Sequence, residues 1–423
     1  MKLLVIGSGG REHALVGKLA QSRRVTKLFC APGNAGIADI AECVPIAVTE
    51  IDKLAAFAAE KKIDLTIVGP EAPLCAGIVD VFQSRGLRIF GPNKRAAQLE
   101  GSKVFTKNIL LKYNVPTAGA AIFDNADAAR THLRKVGAPI VVKADGLAAG
   151  KGVIVAASVE EADRAITEIM EQKIFGAAGA QVIIEECLQG EELSVMALVD
   201  GQTFATLASA QDHKRALDGD RGPNTGGMGA YSPTPVLDEN LHAQVTDIFQ
   251  RTLAGLQAEG IEYRGVLYAG LMLTQRGPQV LEFNCRFGDP ETQVVLPRLA
   301  SDLVDAVEAT IDGRLDRWKL AWTDDAAVCV VMAAGGYPGP YERGRPIEGL
   351  KQAANSDKVC VFHAGTRRNA DGLTVTDGGR VLGVTGLGPS IEKAADRAYE
   401  AVRQIHFDGA QFRRDIAARA MRK

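Results

Sequence analysis

The first hundred residues repeat one pattern: a short, mostly apolar run, a turn, then an amphipathic stretch with helical spacing. Residues 2–6, 27–30, 63–68 and 88–90 read as strands, and 12–21, 51–60 and 76–84 as helices. Short apolar strands need cover on both faces, and strands alternating with helices connect in parallel. The pattern therefore predicts an open parallel sheet with helices on both sides. Gly7-Ser8-Gly9-Gly10 follows the first strand, and Gly69-Pro70 and Gly91-Pro92 follow two others. Loops after strand ends are where such sheets bind ligands.

The remaining chain changes character three times. Ser102 is placed to cap a helix running to about 113, ahead of Pro116. Residues 117–192 read as a compact α+β stretch with strands at 140–143, 152–156 and 182–186, and Ser158 and Glu161 have capping-box spacing. A larger mixed section, 193–325, opens on a hairpin turning at Asp200-Gly201. Strands at 328–333, 358–364, 373–376 and 381–385 follow, then a helix from 390 to about 405. Asp377-Gly378-Gly379 between the last two strands is a hairpin signal.

At 423 residues the chain exceeds one ordinary domain. Its 49 basic residues nearly balance 51 acidic ones, which argues against a nucleic-acid binder or a protein of anionic membranes. The seven cysteines are odd in number and form no C-x-x-C pair, so neither a disulfide framework nor a zinc site is expected, and a reducing cytoplasm fits. The apolar start ends quickly in glycine and charge, as a buried strand does and a signal peptide does not. No apolar run approaches the ~18 residues a membrane span requires.

Four stretches can carry chemistry. Gly7-Ser8-Gly9-Gly10-Arg11-Glu12-His13 suits an anion or sugar at a helix start. A nicotinamide fingerprint would need a third glycine where Glu12 stands, and an acid where Cys30-Ala31-Pro32-Gly33-Asn34 stands. Lys143-Ala144-Asp145-Gly146, continuing to Gly150-Lys151-Gly152, pairs a strand-end lysine with a glycine-rich loop able to wrap a polyphosphate, without Walker A spacing. Glu185 and Glu186 end an apolar strand, where a carboxylate can meet ribose hydroxyls and backbone groups an adenine edge.

The fourth stretch is the most informative. Along 281–286, period-two alternation puts Glu282, Asn284 and Arg286 on one face and Leu281, Phe283 and Cys285 on the other. A carboxylate and an amide oxygen about 7 Å apart on a rigid strand are the sparse hard ligands that Mg²⁺ takes beside phosphate oxygens. The polar run 211–229, with Asp212, His213 and Lys214, reads as a long structured loop. No serine or cysteine lies in a nucleophile-elbow pattern.

Taken in order, these stretches resemble the ATP-grasp ligases. Within them, GSGGREH, APGNAG, VGPEAPL, KADGLAAGKG, GPNTGGMG and RFGDPETQ resemble the phosphoribosylamine–glycine ligases along the whole chain. The resemblance implies a multidomain α/β and α+β fold: a Rossmann-like N-terminal domain (1–102), an ATP-grasp central domain (103–122 and 193–325), an ATP-grasp lid (123–192) and a small α+β C-terminal domain (326–423). It implies ATP with Mg²⁺ or Mn²⁺, and glycine and 5-phosphoribosylamine joined through glycyl phosphate in purine synthesis, by a cytoplasmic monomer. By position, Glu282 and Asn284 match the metal ligands. Lys103 and Lys143 match the nucleotide-phosphate lysines, and Gly146, Gly150, Lys151 and Gly152 the lid loop. Glu185, Glu186, Cys187 and Leu188 match the adenine hinge, and Glu192 the ribose carboxylate. Gly9, Gly10, Arg11, Glu12, Gly33, Asn34 and Glu71 match the ribose-phosphate pocket. Arg286, Asp289, Asp212 and Lys214 are the catalytic candidates around glycine and the transferring phosphate. One departure stands out: 267–272, the strand before Glu282, holds no second acidic metal ligand. Another ATP-grasp ligase, with a different acid or amine, is the alternative, and a nucleotide sensor without turnover is a more distant one.

Overall fold

The computed structural model describes residues 1–147 and 152–421. The first five strands, β1 (Lys2–Gly7), β2 (Lys27–Pro32), β3 (Glu42–Cys43), β4 (Leu65–Val68) and β5 (Ile89–Phe90), form a parallel sheet of order β3-β2-β1-β4-β5. Leu4 and Ile6 of β1 enter one core while Leu3 and Val5 enter the other, so the sheet is covered on both faces as its apolar strands require. The order reverses between β1 and β4, which opens a crevice at their carboxyl ends. Helix α1 (Gly10–Leu19) begins there, two residues earlier than expected, because Gly9 enters extended and Glu12 caps its amide. The helix expected over 76–84 is two helices, Glu71–Ala76 and Ile78–Ser84, broken at Gly77, whose φ of +96° suits glycine.

Four antiparallel strands make a second sheet of order β6-β9-β7-β8: β6 (Ala120–Phe123), β7 (Ile140–Ala144), β8 (Val153–Ala156) and β9 (Val182–Glu186). β6 was not expected. The helices Ala126–Val136 and Val159–Ile166 cover this sheet with a core of its own, including Leu133, Val142, Ile166 and Ile184. Ser158 caps the second helix through Glu161 N at 3.2 Å, whereas the Glu161 carboxylate bonds Ala157 N, one residue off the reciprocal capping-box contact.

The third sheet runs Phe204–Thr206, Glu191–Asp200, Arg264–Thr274 and Gly277–Asn284 in spatial order, all antiparallel. It shares both of its cores with the first sheet: Val195 lies in the core that holds Leu4, and Met196 in the core that holds Leu3. A fourth sheet joins Gln211–Asp212, Gly229–Ser232, Ala326–Ala333, Arg380–Gly388 and Val359–His363. Its strand Gln211–Asp212 thus lies in the polar run expected to be a loop, and Gly229–Ser232 begins at that run's last residue.

The expected hairpin at Asp377-Gly378-Gly379 does not form. Thr374–Thr376 pairs with Thr366–Arg368, and Arg380–Gly388 pairs with Ala326–Ala333 and Val359–His363 instead. Asp377 N bonds Gly365 O at 2.7 Å, so the turn hands the chain from a two-stranded ribbon to the large sheet.

Candidate active site

The site forms where the second sheet, the strand Gly277–Asn284 and the crevice of the first sheet come together. Its geometry begins with a β-bulge. Gly270 pairs with Glu282 and Leu271 with Val280, which leaves Leu281 as an extra residue. The bulge resets the alternation: Val280 and Phe283, of opposite parity, both enter the core. Leu281, expected in the packed face, is only half-buried, and its carbonyl accepts from Lys143 Nζ at 3.0 Å. Beyond the bulge Glu282 and Asn284 keep the common face that alternation predicts. Arg286 lies past the strand end, yet turns back so that Nη2 donates to Asn284 Oδ1 at 2.9 Å.

Glu282 is held ionised by its surroundings. Burial alone would raise its pKa, but Lys214, Lys143, Lys103 and Arg286 outweigh that and hold it below the ordinary range. Among the described residues, none makes a hydrogen bond or ion pair to this carboxylate. A half-buried, ionised carboxylate beside an amide oxygen that has one lone pair left after its bond from Arg286 is a donor set that fits a divalent cation also ligated by phosphate. Among the described residues no three His, Cys, Asp or Glu side chains gather to hold a metal by themselves.

The lysines are fixed rather than free. Lys103 opens the helix Lys103–Lys112, capped by Ser102, and donates to Gly146 O at 2.8 Å; burial, with Lys143 adding, lowers its pKa. Asp145 accepts from Ser102 Oγ at 3.0 Å and Val104 N at 3.1 Å, which ties the start of the glycine-rich loop to that helix. Gly146 has a φ of +92°, and Gly152 O accepts from Ala144 N at 2.8 Å. Gly150 and Lys151 lie outside the described residues.

Glu185 does not reach outward. Its buried carboxylate pairs with Lys143 at 2.8 Å and with Lys107 at 3.1 Å, and so clamps two lysines. Lys107, which no sequence motif marked, also donates to Thr117 Oγ1 at 2.7 Å. Glu186 pairs on the surface with Arg276 at 2.8 Å, and Cys187 and Leu188 follow the strand end, half-buried.

A second cluster gathers around Lys214, another of the cations acting on Glu282. Lys214 pairs with Glu192 at 2.8 Å, so the carboxylate expected at a ribose meets a lysine here. Burial pushes Asp212 up to about 8, with Glu291, Glu192 and Glu282 adding and Lys214 opposing. Burial works to lower Lys214 too, but Asp212, Glu192 and Glu282 carry it well above the ordinary range. Glu291, unassigned from sequence, accepts from Tyr268 OH at 3.0 Å and Ser194 Oγ at 3.1 Å.

The crevice of the first sheet closes the arrangement. The Glu12 carboxylate caps Gly9 N at 2.6 Å and pairs with Arg11, whose Nη1 donates to Phe287 O at 3.3 Å. A Cβ on Gly7 or Gly69 would collide with that Glu12 side chain. Arg286 bridges Glu100 at 3.0 Å and Glu71 at 3.4 Å. Burial raises Glu100, while at Glu71 the cations Arg286 and Arg11 overcome burial and lower it. Asp289 pairs with Arg380 at 3.1 Å and accepts from Gln293 Nε2 at 2.7 Å; these and Arg11 outweigh burial and hold it ionised. The turn Gly33-Asn34 lies beside this crevice, but the Asn34 amide is fully committed. It donates to Ser8 O and His363 O, both at 2.8 Å, and accepts from Gly36 N and Ile37 N. The Asn34 side chain therefore fixes this turn against Ser8 and His363.

Three family models cover this chain in succession: the phosphoribosylglycinamide synthetase N domain over residues 1–100, its ATP-grasp (A) domain over 101–292 and its C domain over 327–419. The phosphoribosylamine–glycine ligase of Pseudomonas aeruginosa is 53% identical, with 100% of this chain and 98% of that protein aligned. That of Halalkalibacterium halodurans is 52% identical over 100% and 97%. The crystal structure of phosphoribosylamine–glycine ligase from Thermotoga maritima matches with a TM-score of 0.88 at 36% identity, covering 99% of this chain and 100% of that one. The biotin carboxylase domain of Hydrogenobacter thermophilus 2-oxoglutarate carboxylase, solved with MgADP and bicarbonate, shares the fold at TM-score 0.75 and 16% identity, covering 97% of this chain and 91% of that one.

Proposed function

This chain belongs to the phosphoribosylglycinamide synthetase family, and from that premise we propose how its residues divide the work. It is an ADP-forming ligase that joins glycine to 5-phosphoribosylamine through glycyl phosphate, a reaction of purine biosynthesis. Glycine's carboxylate oxygen attacks the γ-phosphorus of ATP, and ADP leaves. The amine then attacks the acyl carbon, phosphate leaves, and the nitrogen gives up a proton.

Such chemistry needs placement and charge neutralisation more than covalent help from the protein. Lys103 and Lys143 face the nucleotide phosphates, each fixed by a carbonyl or by Glu185. Glu282 and Asn284 would hold Mg²⁺, which supplies charge neutralisation at the phosphate oxygens when bound. Arg286, anchored on Glu71 and Glu100, stands at the junction of the two substrates. Asp212, Lys214 and Glu291 form the glycine end, where buried acids suit an ammonium and the lysine a carboxylate. Gly9, Gly10, Arg11 and Asp289 form the amine-substrate end. The division into 1–102, 103–122 with 193–325, 123–192 and 326–423 remains our reading of the domains, with the small second sheet as the lid. We also assign the chain as a cytoplasmic monomer; no helix among the described residues is long and apolar enough to cross a membrane.

One observation supports this division above the rest: a carboxylate ionised by four cations and bonded to none of the described residues, at a bulge that also aims a lysine. The test is ADP release with ATP, Mg²⁺, glycine and phosphoribosylamine formed in situ from ribose 5-phosphate and ammonia. Release that depends on glycine and on the amine is expected. Release indifferent to glycine would refute the reading.

A further inference from the structure

Two of the sequence runs that carry the resemblance, 222–229 and 286–291, meet at one side chain from the last third of the chain. Arg380 opens the strand Arg380–Gly388. Its guanidinium pairs with Asp289 Oδ2 at 3.1 Å, donates to Asp289 O at 3.0 Å and donates to Gly226 O. Tyr337 adds a second contact from the same part of the chain, its hydroxyl accepting from Gly226 N at 3.0 Å. A Cβ on Gly226 would stand 3.2 Å from Arg380 Cζ, and one on Gly227 would collide with Pro290. The paired glycines thus leave room for the arginine and the proline.

Asp289 is held from a second direction by Gln293, and its Oδ2 lies 3.5 Å from where a Cβ on Gly9 would be. The carboxylate therefore looks onto the turn that opens α1. Three acceptors at different angles suit the planar fork of arginine and not the single ammonium of lysine. Arg380 makes no hydrogen bond or ion pair with Lys103, Lys143 or Glu282 among the described residues.

We propose that Arg380 is a positioning residue for the amine substrate, holding Asp289 over the Gly9–Gly10 turn so that the C-terminal part completes the phosphoribosylamine pocket. The ATP end is assembled without it, and Glu291 at the glycine end feels its charge through space but is not bonded to it among the described residues. The proposal rests on reading Gly9, Gly10, Arg11 and Asp289 as the amine-substrate end of the ligase.

The test is a KM split on the full-length chain. In Arg380→Ala, KM for phosphoribosylamine rises about thirtyfold or more, as loss of a charge-assisted contact implies, while KM for ATP and KM for glycine stay within about twofold. Arg380→Lys recovers part of the loss, as does free guanidinium added to Arg380→Ala. Tyr337→Phe, which removes only the acceptor for Gly226, moves the same constant in the same direction by less. Should Arg380→Ala fail to melt cooperatively, Arg380→Lys and Tyr337→Phe carry the comparison. An equal rise in all three KM values, no rise in any, or a fall in kcat alone overturns the proposal. Failure of the unmodified chain to release ADP with glycine and phosphoribosylamine overturns the ligase reading instead.

Discussion

Removing Glu185 should destabilise the protein far more than removing either lysine that it clamps. The carboxylate is 3% exposed and pairs with Lys143 at 2.8 Å and Lys107 at 3.1 Å. At an effective dielectric near 20, each attraction is worth roughly 5–6 kcal/mol before desolvation. Glu185→Ala loses both and leaves two buried ammonium groups repelling each other. Each keeps only neutral acceptors: Leu281 O for Lys143, and Thr117 Oγ1 and Ala118 O for Lys107. The expected cost is about 3–5 kcal/mol, the range for uncovering a buried charge. Lys107→Met should cost much less. It loses one attraction, but also the burial cost of one ammonium and its repulsion with Lys143. What remains is a neutral Lys143–Glu185 pair, and the net cost should fall below about 1.5 kcal/mol. The assay is guanidinium denaturation followed by far-UV circular dichroism, comparing midpoints at constant slope. Equal shifts for the two variants, or a Glu185→Ala shift below about 1 kcal/mol, would refute the clamp. ATP binding by Lys107→Met should stay close to that of the unmodified chain, because Lys143 keeps both anchors.

Glu282→Gln should lower kcat by about a hundredfold or more with little change in denaturation midpoint, and EDTA should stop ADP release until Mg²⁺ is restored; turnover unchanged in the variant would remove Glu282 from the site. Acid stability should fall steeply as pH drops from 6.5 towards 4. Burial first, then like-charge neighbours, lowers His13 to about 3, His213 to about 3 and His363 to about 4. The folded state binds fewer protons than the unfolded state in that window, so each histidine contributes a slope approaching 1.4 kcal/mol, roughly, per pH unit. Asp212, pushed up to about 8, binds its extra proton in the folded state and offsets one histidine, so His213→Gln should reduce the net slope by roughly half, and an unchanged slope would show that His213 is not buried neutral. Arg413, with its side chain 1% exposed between Asp220 and Asp415 at 2.8 Å, ties the C-terminal tail to the 215–224 ribbon; Arg413→Ala should cost about 3–5 kcal/mol and expose that ribbon to limited proteolysis, and wild-type resistance would argue against the tether.

Local pattern carried the reading a long way. Runs of apolar residues led to β1 and β4, because a strand covered on both faces is apolar at nearly every position, Thr66 being the exception in β4. Ser102 and Ser390 mark their helix starts because capping is decided within four residues. Glu282 and Asn284 were visible because two-residue spacing on a strand needs nothing remote. The residue that pairs with Glu282 across the sheet is Gly270, which has no side chain to offer.

Whatever depended on a partner far along the chain stayed hidden. Leu281 is a bulge only because Gly270 and Leu271 pair on either side of it, and that pairing reversed the parity of Val280. Asp377-Gly378-Gly379 has hairpin chemistry, yet the strands it joins find better partners in Thr366–Arg368 and Ala326–Ala333. Glu185 turned inward because Lys107 and Lys143 converge on it across 78 and 42 residues, counted from 185 − 107 and 185 − 143. Arg380 carries no motif, and its meaning comes from lying against Asp289 and Gly226, 91 and 154 residues away. Residue type and short-range spacing select which atoms can do the chemistry. Which of them are free to do it depends on long-range contacts, since each bond made across the fold takes up part of the lone pairs and protons a carboxylate or amide can offer.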